Sequence, residues 1–162
     1  LLTAFGASVR GVARSAGQRA GFEVIAVEDV ESALPWTDLL VMVLPSTPRT
    51  AGALSAERLA LLPRRAVVVN VGRGATVDQA ALEAALRSGA ISAAGLDVTD
   101  PEPLPADSTL WDAPNLLLTP HAAGGRVVGA VERILANAAA VEATPSDEPL
   151  TGLEAQVTRA SH

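Results

Sequence analysis

Short apolar runs alternate with stretches of helical character along most of the chain. Two runs, residues 39–44 and 66–71, are apolar almost throughout, which is typical of strands buried on both faces of a sheet. Residues 7–13, 93–98 and 116–119 have the character of three further strands. Strands that alternate with helices predict an α/β fold, in which a doubly wound parallel sheet carries helices on both faces.

Three helices are predicted between these strands. The first covers residues 29–34 and ends at Pro35, which cannot continue a helix. Ser55 is expected to cap the second helix, and Asp78 the third, because their side chains can accept a hydrogen bond from the first turn. Gly89 marks the end of the third helix.

Candidate chemistry follows the predicted strands at their carboxyl ends. Arg73 stands between two glycines, Glu102 stands between two prolines, and His121 follows the last predicted strand. Ligands of parallel sheets bind at this edge, and a guanidinium fork suits a carboxylate. Glycines let the backbone approach such a ligand closely. Taken singly, each side chain has an ordinary alternative as a solvated surface residue.

Composition narrows the function classes open to the 162 residues. The net charge of -6 argues against binding to a phosphate backbone, and the aromatic content of 2% argues against base stacking on single-stranded nucleic acid. The absence of Lys excludes P-loop and Schiff-base lysine chemistry. With no Cys and two His, we expect no metal site. The longest apolar run is too short for a membrane span and no export signal is visible, so a cytoplasmic location is expected.

Residues 67–125 closely resemble the D-isomer-specific 2-hydroxyacid dehydrogenase family in motif, order and spacing, and they contain Arg73, Glu102 and His121. Flanking segments agree with the same family, including LPSTPRTAGAL at residues 44–54. The resemblance implies a Rossmann-like NAD(P)-binding domain. It also implies an oxidoreductase that transfers hydride between a nicotinamide cofactor and a small 2-oxo or 2-hydroxy acid.

The resemblance assigns roles residue by residue. Arg73 matches the arginine that binds the substrate carboxylate, His121 the acid/base, and Glu102 the carboxylate paired with that histidine. The cofactor-binding residues that it implies are Arg14, Ser15, Pro45, Thr47, Val71, Gly72, Arg73, Asp97, His121 and Gly124. Among them, Asp97 matches the acid that contacts the nicotinamide end.

Arg14 favours NADP over NAD as the cofactor. Alignment with the family places Ala13 where an NAD-preferring member carries Asp, and Arg14 and Ser15 follow directly. An arginine at the end of the second strand accommodates the 2′-phosphate of NADP. The alternative is that Arg14 is an ordinary solvated loop residue. Relatives commonly dimerise through this domain, so a homodimer is a further expectation.

The chain departs from the family pattern at its amino end. It begins with Leu1 and contains no G-x-G-x-x-G fingerprint, so we expect a fragment that lacks the first strand. Because that strand lies mid-sheet, its absence predicts unpaired inner edges at residues 7–13 and 66–71. Thr99 stands where relatives often carry an aromatic residue. The alternative function is a nucleotide-binding or dimerising remnant without catalytic activity.

The carboxyl end is divided by composition. An Ala-rich last helix is predicted over residues 126–143, and the chain turns polar after it. We therefore expect an incomplete NAD(P)-binding domain over residues 1–143 and a polar tail over residues 144–162.

Overall fold

Seven strands form two sheets in the part of the chain that the computed structural model describes, which is residues 2–19, 21–124, 136, 137 and 139. The strands are β1 (Arg10–Ala13), β2 (Gly17–Arg19), β3 (Phe22–Ala26), β4 (Leu39–Met42), β5 (Val67–Asn70), β6 (Ala93–Leu96) and β7 (Leu116–Leu118). The α-helices between them are α1 (Val30–Ala33), α2 (Ala56–Ala60) and α3 (Gln79–Arg87).

The four-stranded sheet has the order β4-β5-β6-β7, and every neighbouring pair is parallel. Its strands correspond to four of the five predicted from the apolar runs, and the fifth is β1. The predicted α/β fold with a parallel sheet is therefore confirmed. All four strands point the same way, so their carboxyl ends meet at one edge.

The two faces of the four-stranded sheet differ sharply. Val68, Asn70, Ala94, Leu96 and Leu118 are buried on one face, where the apolar side chains of α2 and α3 join the core cluster. On the other face the residues paired in one row are Val41, Val69, Gly95 and Leu117. Among the described residues, this second face carries no comparable buried set.

The expectation that residues 39–44 are buried on both faces is wrong. Leu39 and Val41 are each 48% exposed, whereas Met42 is buried. The reason is positional, because β4 is the edge strand of the described sheet and its odd-numbered residues point to the open face. A run that is apolar throughout does not reveal whether both of its faces are covered.

The predicted edges need one correction. Within the described residues β1 pairs only with β3, so its other edge is open as expected. The second open edge does not belong to residues 66–71, because β5 pairs with β4 on one side and with β6 on the other. The edge belongs to β4, which takes the outermost place in the row.

The three-stranded sheet was only partly foreseen. Its order is β1-β3-β2, with β1 parallel and β2 antiparallel to the central strand β3. Neither β2 nor β3 was predicted, because β2 is three residues of polar character and β3 has one fully buried residue, Val24. Short and largely exposed strands give little periodic signal.

The helix caps are where the sequence places them. Ser55 and Asp78 accept hydrogen bonds from the backbone N–H groups of Arg58 and Ala81. Gly89 follows α3 with a φ of 66°, the left-handed geometry that suits glycine. The first α-helix ends at Ala33, before Pro35, as the sequence predicts, and a 3-10 turn over Leu34–Trp36 follows it with the proline in its first turn, where a missing N–H costs nothing.

The predicted helix over residues 126–143 falls outside the described residues, except that Ala136, Asn137 and Ala139 are helical. The predicted tail over residues 144–162 lies wholly outside them. In the part of the chain that can be described, no helix has the length and apolar character needed to span a bilayer.

Candidate active site

Four loops meet at the carboxyl edge of the four-stranded sheet. Residues 43–48 follow β4, residues 71–74 follow β5, residues 97–102 follow β6 and residues 119–124 follow β7. This row of four loops contains Arg73, Glu102 and His121. It also contains all the other predicted cofactor-binding residues except Arg14 and Ser15. The sheet topology therefore brings together residues that are far apart in the sequence.

His121 and Glu102 form a direct pair. The Nδ1 atom of His121 lies 2.8 Å from Oε1 of Glu102. The imidazole is 43% exposed and the carboxylate 38% exposed, so both groups are accessible from solvent. With Nδ1 bound to the carboxylate, Nε2 is the ring nitrogen left to act on a ligand. The pair thus has the geometry of an oriented acid/base.

The backbone of His121 adopts an unusual conformation. Its φ is 52°, in the left-handed region that few non-glycine residues occupy. The His121 N–H donates to the carbonyl of Thr119 at 3.0 Å, which closes a tight turn around Pro120. Such geometry persists only where surrounding contacts impose it.

Asp97 supplies those contacts from the end of β6. The residue is 5% exposed. Its Oδ1 atom accepts hydrogen bonds from the Thr119 hydroxyl and from the Ala122 N–H, and its Oδ2 atom accepts one from the Ala123 N–H. The loop that carries His121 is therefore tied to the neighbouring strand on both sides of the histidine.

Arg73 is fixed by the glycines on either side of it. A Cβ atom on Gly72 would lie 2.6 Å from the Leu44 carbonyl oxygen, and one on Gly74 would overlap the Thr99 carbonyl group. The glycines let this loop fit between the backbones of the two neighbouring loops. This adds a second reason for the glycines besides close approach to a ligand. The exposed guanidinium donates through Nη1 to the Gly72 carbonyl at 2.6 Å.

Asn70, which is fully buried at the end of β5, shapes the same loop. Its Oδ1 atom accepts from the Gly72 N–H at 3.0 Å, and its Nδ2 atom donates to the Arg73 carbonyl at 3.0 Å. The Thr76 hydroxyl donates to that carbonyl as well, at 2.6 Å. The Arg73 backbone is held in this way from below, while its side chain stays exposed.

The loop that carries Glu102 is held by α3. The Gln79 side chain donates to the Asp100 carbonyl and accepts from the Asp100 N–H at 3.2 Å, so one amide binds both backbone groups of Asp100. The Thr99 hydroxyl donates to the Pro101 carbonyl at 3.0 Å. Both X–Pro bonds of this loop, before Pro101 and Pro103, are cis.

A small recess adjoins Glu102. Its volume is about 150 Å³, and Thr99, Pro103, Leu104, Trp111, Leu118 and Pro120 line it together with Glu102. Thr99, noted above as a departure from the family pattern, lies in the wall of this recess, next to the His121–Glu102 pair.

The remaining cofactor candidates fall into two groups. Pro45 and Thr47 are exposed after β4, beside the Gly72 loop, and Gly124 is exposed after the His121 turn. Arg14 and Ser15 lie apart from this row, exposed at the end of β1 in the three-stranded sheet. Among the described residues, no group of three or more potential ligands of the His, Cys, Asp and Glu types could hold a metal ion.

Sequence reasoning missed the residues that hold the loops. Asn70 and Gln79 contact backbone groups on the site loops, and the Thr119 hydroxyl reaches Asp97. One signal was available, since a single Asn inside the apolar run of residues 66–71 demands polar partners if it is buried. Gln79 and Thr119 gave no comparable signal.

Comparisons with known proteins identify the family of the chain. The family of D-isomer specific 2-hydroxyacid dehydrogenase NAD-binding domains matches residues 1–123. Glyoxylate/hydroxypyruvate reductase A of Salmonella newport is 39% identical over 161 residues, which cover 98% of this chain and 50% of that protein. Glyoxylate/hydroxypyruvate reductase B of Pectobacterium atrosepticum is 46% identical over 93 residues, covering 57% of this chain and 29% of that one. The chain thus spans half or less of these relatives.

Solved structures show the same likeness. A D-isomer specific 2-hydroxyacid dehydrogenase from Xanthobacter autotrophicus Py2, in complex with NADPH and MES, superposes with a TM-score of 0.72 at 40% identity and covers 99% of this chain and 64% of that one. An NADPH-dependent glyoxylate/hydroxypyruvate reductase from Sinorhizobium meliloti, in complex with NADP and sulfate, gives 0.72 at 35% identity, covering 98% and 50%. The chain therefore belongs to the D-isomer specific 2-hydroxyacid dehydrogenase family, of which it carries a large part of the Rossmann-type NAD-binding domain.

Proposed function

We propose that this chain is the cofactor-binding part of an NADP(H)-dependent reductase of small 2-oxo acids. The observation that carries the proposal is the 2.8 Å contact between His121 Nδ1 and Glu102 Oε1, at the edge of the sheet where Arg73 also lies. The named relatives support the same chemistry, since several are glyoxylate/hydroxypyruvate reductases.

His121 acts as the proton donor in this proposal. Reduction of a 2-oxo acid leaves negative charge on the carbonyl oxygen, so a donor must lie beside that atom. Glu102 holds Nδ1 and thereby turns Nε2 towards the ligand. In the reverse direction the same nitrogen accepts the proton from the 2-hydroxyl group.

Arg73 binds the carboxylate of the acid. A guanidinium can donate two parallel hydrogen bonds to a carboxylate, which fixes the neighbouring carbonyl in one orientation. The exposed side chain, on a backbone held by Asn70, suits this task. The bond from Nη1 to the Gly72 carbonyl leaves the other N–H groups of the fork for the ligand.

The residues at the strand ends fit an NADP cofactor. Exposed Arg14 and Ser15 offer a guanidinium and a hydroxyl for the 2′-phosphate, and Pro45, Thr47, Val71, Gly72, Asp97 and Gly124 would border the rest of the cofactor. When bound, the reduced nicotinamide supplies the hydride for carbon 2 of the acid. NAD is the second candidate. The homodimer, the cytoplasmic location and the domain boundary at residue 143 stay predictions.

The test is reduction of glyoxylate and hydroxypyruvate by NADPH in the full-length protein that carries this chain, and in variants of that protein. His121→Ala should lower kcat by about 100-fold or more, since general acid catalysis contributes that much. Asn115→Ala is the matched control, because Asn115 also has a positive φ but lies at the amino end of β7. Near-normal turnover of His121→Ala would remove this residue from the proposed role.

Arg73→Ala should chiefly impair handling of the oxo acid, with a higher KM and a lower kcat. Arg65→Ala provides an exposed arginine control that pairs with Asp38, away from the site. If the unmodified full-length protein binds NADPH but reduces neither acid, the alternative of a binding remnant without catalytic activity is supported instead.

A further inference from the structure

We infer that Asp97 is a positioning residue for His121, in addition to any contact that it makes with a cofactor. The inference rests on the proposed function, in which the imidazole must face the carbonyl oxygen of the substrate. Asp97 follows β6, one strand away from the loop that carries His121, and its described hydrogen bonds go to residues on either side of the histidine.

The Asp97 carboxylate connects both sides of the His121 turn. Before the histidine it accepts a hydrogen bond from the Thr119 hydroxyl. After the histidine it accepts the N–H groups of Ala122 and Ala123, each at 2.9 Å. Three donors from a five-residue segment therefore converge on one buried anion, and such charge-assisted bonds are stronger than neutral ones.

The contact with Glu102 is a weaker restraint on His121. The imidazole is 43% exposed and the carboxylate 38% exposed, and a solvent-exposed pair of this kind restrains its side chains only weakly. The backbone at His121 is left-handed, a conformation that the surrounding structure has to impose. Asp97, which is 5% exposed and hydrogen-bonded on both sides of the histidine, is the partner to which we assign this restraint.

These contacts use most of the lone pairs with which the Asp97 carboxylate can accept hydrogen bonds. Each carboxylate oxygen has two lone pairs. Oδ1 already accepts two hydrogen bonds and Oδ2 accepts one, which leaves a single site on Oδ2 for a cofactor amide. A positioning role and a cofactor role can therefore coexist, and they predict different results when no cofactor is present.

The first experiment uses the cofactor-free full chain. In Asp97→Asn an amide NH2 replaces one acceptor and faces backbone or hydroxyl donors. We expect hydrogen exchange at the Ala122 and Ala123 amides to accelerate by at least about tenfold. We also expect loss of the ¹⁵N NMR signature of the hydrogen bond between His121 Nδ1 and Glu102.

Asp38→Asn is the control, because it makes the same substitution at an exposed carboxylate that pairs with Arg65 beside the amino end of β4, away from the turn. It should leave the His121 signature unchanged. If Asp97→Asn accelerates exchange at the two amides but the His121 signature stays as in the unmodified chain, Asp97 holds backbone only and the inference is overturned.

A second pair of variants covers the case in which Asp97→Asn does not fold. Thr119→Val removes one of the three donors to Asp97, whereas Thr119→Ser keeps the hydroxyl. We expect a weakened His121 signature in the first variant and a restored one in the second. Equal signatures in both variants would contradict the inference.

Kinetics separate the two roles of Asp97. Misplacement of the imidazole should lower kcat by about 100-fold, in addition to any rise in the KM for NADPH that loss of the cofactor contact causes. A residue that only contacts nicotinamide would raise the KM for NADPH and leave the cofactor-free NMR signature unchanged, which would overturn the inference. If the full-length protein that carries this chain reduces no oxo acid, the proposed function fails, while the NMR result still decides whether Asp97 positions His121.

Discussion

The two sheets of this chain differ in what they contribute. The four-stranded sheet supports the hydrophobic core and the loops with Arg73, Glu102 and His121. Among the buried hydrophobic residues of the described chain, Val24 alone belongs to the three-stranded sheet. That sheet nevertheless carries Arg14 and Ser15, the residues proposed to select the cofactor. Stability and cofactor choice are thus expected to reside in different parts of the molecule.

The packing explains the difference. The helices α2 and α3 bury Leu59, Leu82 and Leu86 against one face of the four-stranded sheet. The strands β1 and β2 bury no residue fully. Because burial of apolar area is the main source of folding stability, substitutions in the two sheets should have unequal costs.

The largest expected effect comes from core truncation. Leu82 is fully buried, so Leu82→Ala should reduce the free energy of unfolding by about 2–5 kcal/mol. Val12→Ala in β1, where the side chain is 43% exposed, should change it by less than about 1 kcal/mol. Urea denaturation of both variants measures the contrast. Equal losses would mean that the two sheets contribute alike to stability.

The next effect concerns the loop of Arg73. Gly74→Ala forces a Cβ atom into the Thr99 carbonyl group, and the backbone must move, at a cost of about 3 kcal/mol. Gly95→Ala is the control in the same sheet, because its nearest neighbour would be Val69 Cγ2 at an ordinary 3.9 Å. Thermal unfolding distinguishes them, and a Gly74→Ala variant as stable as Gly95→Ala would refute the close fit of the loops.

A smaller effect is expected in the three-stranded sheet, on selectivity rather than on stability. Arg14→Ala should lower the preference for NADPH over NADH by about tenfold, equivalent to about 1.4 kcal/mol, while the unfolding free energy stays nearly constant. Arg19→Ala, an exposed arginine of β2, is the matched control. An unaltered ratio of kcat/KM for the two cofactors in Arg14→Ala would defeat the assignment.

The smallest expected effect is on the pKa of Glu83, in helix α3 beside the four-stranded sheet. The Thr109 hydroxyl donates to Glu83 at 2.7 Å, and this bond is the main reason that the pKa of Glu83 is lowered. Because the pKa of Glu83 is lower in the folded state, its ionised carboxylate stabilises the fold at pH values above the pKa of the unfolded state. This contribution is lost as the pH falls through the pKa of the folded state. Thr109→Val should raise the pKa of Glu83 in a ¹³C NMR titration, and Thr109→Ser should not. The idea fails if both variants titrate alike.

The sequence predicted the parts of the fold that have strong local signals. The apolar runs located β4, β5, β6 and β7, and Ser55 and Asp78 located the starts of two helices. It did not reveal β3, whose five residues bury only Val24, or the open face of β4. Strand order and the covering of a face depend on distant segments, which local periodicity does not encode.

The candidate site shows the same limit. The resemblance to a family singled out Arg73, Glu102 and His121, and the parallel sheet explains why their loops share one edge. The contacts that hold these loops link Asp97 to residues up to 26 positions away, and Gln79 to Asp100. Such pairings follow from strand register, so only the folded structure reveals them.

The two glycines beside Arg73 have a consequence for redesign of this protein. The main chain of the Arg73 loop fills the gap between the loop at Leu44 and the loop at Thr99. Attempts to enlarge the ligand-binding cleft by rebuilding this central loop would have to separate both of its neighbours at once. A single substitution at Gly72 or Gly74 is therefore expected to disturb a neighbouring loop as well as the Arg73 loop.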